Sequence, residues 1–237
     1  MHPVKNVAEA KEKIIVPLDV TTAAEALHLV EMLASEVGWF KIGLQLFTRN
    51  GPEVVRLVRG TGARVFLDLK FHDIPNTVLH AVESAIALDV QMLTVHASGG
   101  HEMLAAAVRG AAGSATRVLG VTVLTSSNQQ TLTETGVMRP IAEQVESLSQ
   151  LAAAAGLGGL VASPLEVALL RAVVPREMKL VIPGIRPAGS DANDQKRIMT
   201  PPEAVAQGAD YLVIGRPITA AADPVAAARV IVASLQG

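Results

Sequence analysis

The densest polar segment of the chain is Asp68-Leu69-Lys70-Phe71-His72-Asp73-Ile74-Pro75-Asn76-Thr77. It closes the apolar run Arg64–Leu69, so its first charges stand at the end of a predicted strand. Side chains at i and i+2 share one face of a strand, which sends Asp68 and Lys70 the same way. An ordinary strand-end ion pair would read alike, but two other apolar runs carry charge in matching places. Asp19 closes Ile14–Leu18, and Lys41 lies inside Trp39-Phe40-Lys41-Ile42-Gly43. A lysine in an apolar strand is costly to bury without a partner. Four charged side chains converging from three strands are arranged for catalysis. Their chemistry would be stabilisation of a developing charge and delivery of a proton.

A second cluster lies late in the chain, at Pro183-Gly184-Ile185-Arg186-Pro187 and Val213-Ile214-Gly215-Arg216-Pro217. Each follows an apolar run. The glycines let backbone approach a ligand closely, and Arg186 or Arg216 can form paired bonds to a phosphate. Either segment alone is weak evidence; the two at adjacent strand ends favour a phosphate site over a pair of surface arginines.

These residues need a scaffold that gathers strand ends. Parallel strands covered on both faces read as short continuous apolar runs. Eight are present: Ile14–Leu18, Trp39–Gly43, Arg64–Leu69, Met92–His96, Val118–Val123, Gly159–Ala162, Leu180–Pro183 and Tyr211–Ile214. Helix-period stretches alternate with them, at Thr21–Glu36, Pro52–Arg59, Asn76–Leu88, Gly100–Arg109, Ile141–Ala155, Pro164–Val173, Pro201–Gln207 and Asp223–Leu235. Several begin at a capping residue or a proline. Such alternation in 237 residues predicts an α/β fold, a (β/α)8 TIM barrel forming a single domain over residues 1–237. The rival is an open doubly wound sheet. It would show a glycine-rich turn after the first strand, where this chain has Leu18-Asp19-Val20-Thr21-Thr22. In a barrel, phosphate commonly sits at the loops after strands 7 and 8, which is where Gly184, Arg186, Gly215 and Arg216 fall. Two long connections, Thr125–Pro140 and Gly184–Thr200, follow strands 5 and 7 and read as loops that could cover the mouth.

Composition narrows the partners. Twenty Lys+Arg against 22 Asp+Glu leave a net charge of −2, and aromatics are 3%. Neither a basic face nor stacking platforms for nucleic acid are supplied. With no cysteine, disulfides, thiolate metal sites and cysteine nucleophiles are excluded. Mean hydropathy is +0.38, yet the most apolar stretch, Leu151–Leu170, is broken by Gly156, Gly158, Gly159, Pro164 and Glu166. It reads as helix, turn, strand, turn, helix and not as a membrane span of about 20 residues. The first residues hold Lys5, Glu9, Lys11, Glu12 and Lys13 and no apolar signal-peptide core, so a cytoplasmic protein is expected. No H-x-H or H-E-x-x-H spacing points to a metal. Strand alternation turns His72 away from the pocket, while His96, ending strand 4, could stand behind the site. Ser126, Ser127 and Ser163 lack the context of a nucleophile elbow. Asp210 and Asp223 read as boundary residues.

The segment Asp68–Thr77 closely resembles the signature of the orotidine 5′-phosphate decarboxylase family. Leu18-Asp19, Phe40-Lys41-Ile42-Gly43, Val95-His96-Ala97, Leu124-Thr125-Ser126, Pro183-Gly184-Ile185-Arg186 and Ile214-Gly215-Arg216 extend the resemblance along almost the whole chain. It implies cofactor-free conversion of orotidine 5′-phosphate to UMP and carbon dioxide, the last step of de novo pyrimidine nucleotide synthesis. Lys41, Asp68, Lys70 and Asp73 match an alternating Lys-Asp-Lys-Asp network. By that resemblance Lys70 protonates C6, Asp68 faces the substrate carboxylate, and Lys41 and Asp73 orient the network and contact ribose. Asp19 is implied to bind ribose hydroxyls, Thr125 the pyrimidine, and Gln195, Gly215 and Arg216 the phosphate, with Arg186 in the same binding set. The resemblance also implies a homodimer in which Asp73, Ile74 and Thr77 reach the partner's site. Ile182 departs from the threonine expected there in many members. Magnesium-dependent sugar-phosphate decarboxylases and aldolases of the same suprafamily share only Asp-x-Lys-x-x-Asp, and Ile74-Pro75-Asn76-Thr77 separates this chain from them. A noncatalytic phosphate-binding barrel would not need the intact Lys41, Asp68, Lys70 and Asp73.

Overall fold

The eight apolar runs become eight parallel strands in the computed structural model, which describes residues 4, 6–187 and 199–236. They are β1 (Ile14–Pro17), β2 (Trp39–Gly43), β3 (Val65–Phe71), β4 (Met92–His96), β5 (Arg117–Val121), β6 (Gly159–Val161), β7 (Lys179–Ile182) and β8 (Tyr211–Val213). They pair in chain order, and β8 returns to β1 to close the barrel. The chain is therefore a (β/α)8 barrel. No helix among the described residues is long and apolar enough to cross a membrane.

Strand alternation divides the apolar side chains into two layers. Ile15, Trp39, Phe66, Met92, Leu119 and Val181 fill the barrel interior. Their sequence neighbours, such as Ile14, Val16, Phe40 and Leu180, pack outward beneath the helices. Both faces of each strand are buried, which is why the runs are continuous in sequence. The same alternation fixes the site: two residues beyond inward Trp39 stands Lys41, and two beyond inward Phe66 stands Asp68.

Helix ends follow local chemistry. Thr22 and Glu25 form a capping box at the start of Ala23–Leu33, and Thr200 and Glu203 form another before Pro201–Gln207. Asp223 caps Pro224–Ser234 by accepting from Ala226 N–H, and Asp210 accepts from Leu180 N–H while pairing with Lys179 and Arg171, so both are boundary residues as expected. Ile182 is fully buried, filling a place in the outer layer.

Four α-helices among the described residues lie outside the expected set, one of them the single turn Arg216–Thr219 directly after Gly215. Val7–Glu12 is capped by Asn6 within the charged N-terminal stretch. Leu44–Asn50 follows β2 directly from Gly43, with no side-chain cap to announce it. Gln129–Glu134 occupies part of the expected loop Thr125–Pro140, started by Asn128, whose side chain accepts from Thr131 N–H at 2.9 Å. The other long connection, after β7, falls mostly outside the described residues.

Candidate active site

The C-terminal ends of β1, β2 and β3 bring four charged side chains into one line. Lys41 Nζ lies 3.5 Å from Asp19 Oδ1 and 3.5 Å from Asp68 Oδ2. Asp68 Oδ1 in turn accepts from Lys70 Nζ at 2.9 Å. Charge alternates along the row Asp19, Lys41, Asp68, Lys70, so each inner member has an opposite charge on both sides. Asp19 is the open end, with its side chain 68% exposed, whereas that of Asp68 is only 12% exposed. Burial alone would push the Asp68 carboxyl up. The Lys41 and Lys70 ammoniums, with hydrogen bonds from Lys70 and Thr94, outweigh it and hold the group below the usual aspartate value. Asp68 is thus an anion at neutral pH.

Strand β3 does not continue as a plain alternating strand to reach this arrangement. Its register against β4 shifts between Leu67 and Phe71. Within that irregularity Lys70 has φ +54°, in the left-handed region that side chains other than glycine rarely adopt. Asp68 and Lys70 do meet, as the spacing suggests, but through a bulged backbone that re-aims Lys70. The buried Thr94 of β4 sits at the irregularity. It accepts from Lys70 N–H at 2.9 Å and donates to Asp68 Oδ1 at 3.0 Å.

Across the mouth lie the ends of β7 and β8. Gly184 has φ +76°, a conformation that suits glycine and turns the chain so that Arg186 faces back over the barrel. Arg186 is 6% exposed. Its Nη1 donates to Ile185 carbonyl at 2.9 Å, while its buried Nε has no partner among the described residues. Burial, then the neighbouring Arg216 cation, push the Arg186 guanidinium down. Two guanidiniums held close in a half-enclosed place favour an anion between them. Gly215 is equally constrained, since an added Cβ would stand 3.0 Å from Pro17 Cγ.

One cavity of about 480 Å3 joins the two sides. Asp19, Lys41, Asp68 and Lys70 line one wall, and Gly184, Arg186, Gly215 and Arg216 line the other, with Thr125 on the loop after β5. The volume suits a small ligand of nucleotide size. Asp73, Ile74 and Thr77 do not line it; all three are exposed, Ile74 by 66%. Asp73 Oδ1 accepts from the Ile74 N–H at 2.6 Å. Gln195 lies outside the described residues. His72 is exposed and does not line the cavity, and its ring stands 5.5 Å from that of His96. Burial first, then His72 and Lys70, lower the His96 pKa and favour the neutral ring behind the site. Sequence reasoning missed Thr94 and the apolar floor formed by Phe66, Val121 and Val161. A threonine inside the apolar run Met92–His96 was the one signal for the former.

A closed (β/α)8 barrel with an alternating lysine and aspartate row facing paired guanidiniums defines an enzyme-like site for a phosphorylated small molecule. The chain belongs to the Orotidine 5′-phosphate decarboxylase / HUMPS family, whose model matches residues 12–231. It is 53% identical to the orotidine 5′-phosphate decarboxylase of Syntrophotalea carbinolica, over 94% of this chain and 95% of that protein. It is also 53% identical to that of Moorella thermoacetica, over 96% of this chain and 93% of that one. The crystal structure of orotidine 5′-phosphate decarboxylase from Lactobacillus acidophilus superposes with a TM-score of 0.84 at 36% identity, covering 95% of this chain and all of that one.

Proposed function

We propose that this chain converts orotidine 5′-phosphate to UMP and carbon dioxide without a cofactor, completing pyrimidine nucleotide synthesis in the cytoplasm. The observation that carries this reading is the Asp19, Lys41, Asp68, Lys70 row set across one cavity from Arg186 and Arg216. The substrate is an anion at both ends, with a phosphate for the guanidinium wall and a C6 carboxylate for the lysine wall. When the bond from C6 to the carboxylate breaks, its electron pair stays on C6 as carbon dioxide leaves. No adjacent carbonyl delocalises that pair simply, so the protein must supply fixed charge. Lys70 Nζ stabilises the developing carbanion and then gives C6 a proton. Asp68 holds Lys70 by its 2.9 Å bond and faces the departing carboxylate.

Asp19 and Lys41 bind ribose hydroxyls, Thr125 the pyrimidine, and Arg186, Gly215, Arg216 and Gln195 the phosphate. Asp73, Ile74 and Thr77 serve the site of a second copy, completing a homodimer. Their exposure in one chain, beside a cavity they do not line, supports that assignment. The direct test is a spectrophotometric assay of purified protein with orotidine 5′-phosphate. Loss of substrate absorbance with UMP formed mole for mole is expected; intact substrate would end this reading.

Activity should survive exhaustive chelation in full. Lys41 already stands between the carboxylates of Asp19 and Asp68, where a dication shared by them would have to sit. An enzyme silenced by chelator and revived by Mg2+ would identify a magnesium-dependent sugar-phosphate decarboxylase or aldolase instead. Arg216→Ala should lower kcat/KM by roughly 10- to 100-fold, the worth of one or two hydrogen bonds to a charged group. The loss should reach kcat as well as KM, because phosphate binding energy is used to close the site. A variant with unchanged kcat/KM would remove Arg216 from the phosphate site.

A further inference from the structure

The bulge that aims Lys70 is fastened by a single side chain. In a regular parallel ladder the even-numbered residues of β3 turn their backbone polar groups to β2, as Arg64 does when its carbonyl accepts from Phe40 N–H, but the register shift between Leu67 and Phe71 interrupts the strand and turns the Lys70 N–H toward β4. Thr94 Oγ1 takes the N–H there, at 2.9 Å. A hydroxyl has one proton. With the Lys70 N–H donating to its oxygen, the Thr94 proton is directed at Asp68 Oδ1, 3.0 Å away. That same Oδ1 accepts from Lys70 Nζ at 2.9 Å. Thr94 Oγ1, Lys70 N and Asp68 Oδ1 are therefore fixed together, and the Lys70 side chain closes a loop from its own backbone to the carboxylate. Thr94 is fully buried, does not line the cavity, and has no open path to substrate.

We propose that Thr94 is a positioning residue for decarboxylation, its hydroxyl holding the left-handed Lys70 backbone and the Asp68 carboxylate in the geometry that places the Lys70 ammonium over C6. The methyl group of Thr94 packs in the strand; the hydroxyl alone makes the two polar contacts. Without it, Lys70 N–H loses its acceptor and the backbone is free to relax toward an ordinary strand, moving Nζ away from the reacting carbon. Substrate binding, which uses the opposite wall and the ribose groups, is untouched.

This inference rests on the decarboxylase reading. The experiment separates the two, since wild-type protein inert toward orotidine 5′-phosphate defeats that reading, and only active wild type tests this one. Thr94→Val keeps the shape and removes the hydroxyl; Thr94→Ser keeps the hydroxyl and removes the methyl. The expected result is a fall in kcat of roughly 10- to 100-fold in Thr94→Val with KM within about threefold, and recovery in Thr94→Ser to within about threefold of wild type. A role confined to packing would spare Thr94→Val and penalise Thr94→Ser. The proposal is overturned if Thr94→Val keeps its kcat, if the two variants fall equally, or if the loss lies in KM alone. Should Thr94→Val not fold, as judged by circular dichroism and melting, Thr94→Ala is scored by the same criteria. If neither folds while Thr94→Ser does, the hydroxyl serves the fold and the proposal is likewise overturned.

Discussion

Lys70→Ala should lose at least about 10^4-fold in kcat/KM, because one ammonium has two tasks in the same step. Delivery of a proton by a positioned side chain is worth about 10^2–10^4-fold, and a preorganised donor at a developing anion about 10^2–10^3-fold. No other described group replaces it. Lys41 is engaged by Asp19 and Asp68, each 3.5 Å from its Nζ, and lies further back along the row. Lys70→Arg should be almost as poor, since a guanidinium keeps the charge but does not give up its proton. The fold should survive both changes. Asp68 retains Lys41 and the Thr94 hydroxyl, so its buried carboxylate is not left unpartnered. The check is single-turnover kinetics beside a thermal melt. A Lys70→Ala enzyme that melts near wild type and still turns over at a tenth of its rate would take proton delivery away from Lys70.

The parts legible in the sequence were those set by strand alternation and burial. Lys41 was conspicuous because an ammonium inside Trp39–Gly43 has to be solvated by something, and the barrel provides Asp19 and Asp68. The arginines after β7 and β8 were legible because a parallel barrel gathers those two strand ends. The aim of Lys70 was not. Period-2 spacing places Asp68 and Lys70 together only while the strand is regular, and the chain reaches that contact through a left-handed residue that no local sequence rule specifies. Thr94 was hidden for the same reason, being an unremarkable β-former until the neighbouring bulge gives its hydroxyl a task. Leu44–Asn50 escaped because it lacks a proline or capping side chain at its start. Gln129–Glu134 escaped because its polar residues resemble a loop, and its cap is an asparagine that suits a turn equally well.

Mixing two dead variants should restore activity if the site is shared between copies. Asp73 lies three residues beyond Lys70, after β3 and before the helix Pro75–Ile86. It is exposed and outside the cavity of its own chain, as is Thr77, while Ile74 presents an apolar side chain to the surface. These features fit residues that enter a partner's site, so each site would combine Lys70 of one copy with Asp73 of the other. Lys70→Ala and Asp73→Ala homodimers should then both be nearly inactive. Unfolded together and refolded as an equal mixture, half of the dimers pair unlike chains. Two-fold symmetry gives each mixed dimer one site with both residues intact and one with neither. Recovery should approach about a quarter of wild-type activity, provided the sites act independently. Native mass spectrometry reports whether exchange is complete. Complete exchange with no gain over the parent variants would return Asp73 to its own chain's chemistry. Recovery near a quarter would mean that a monomer, however well folded, carries an unfinished site.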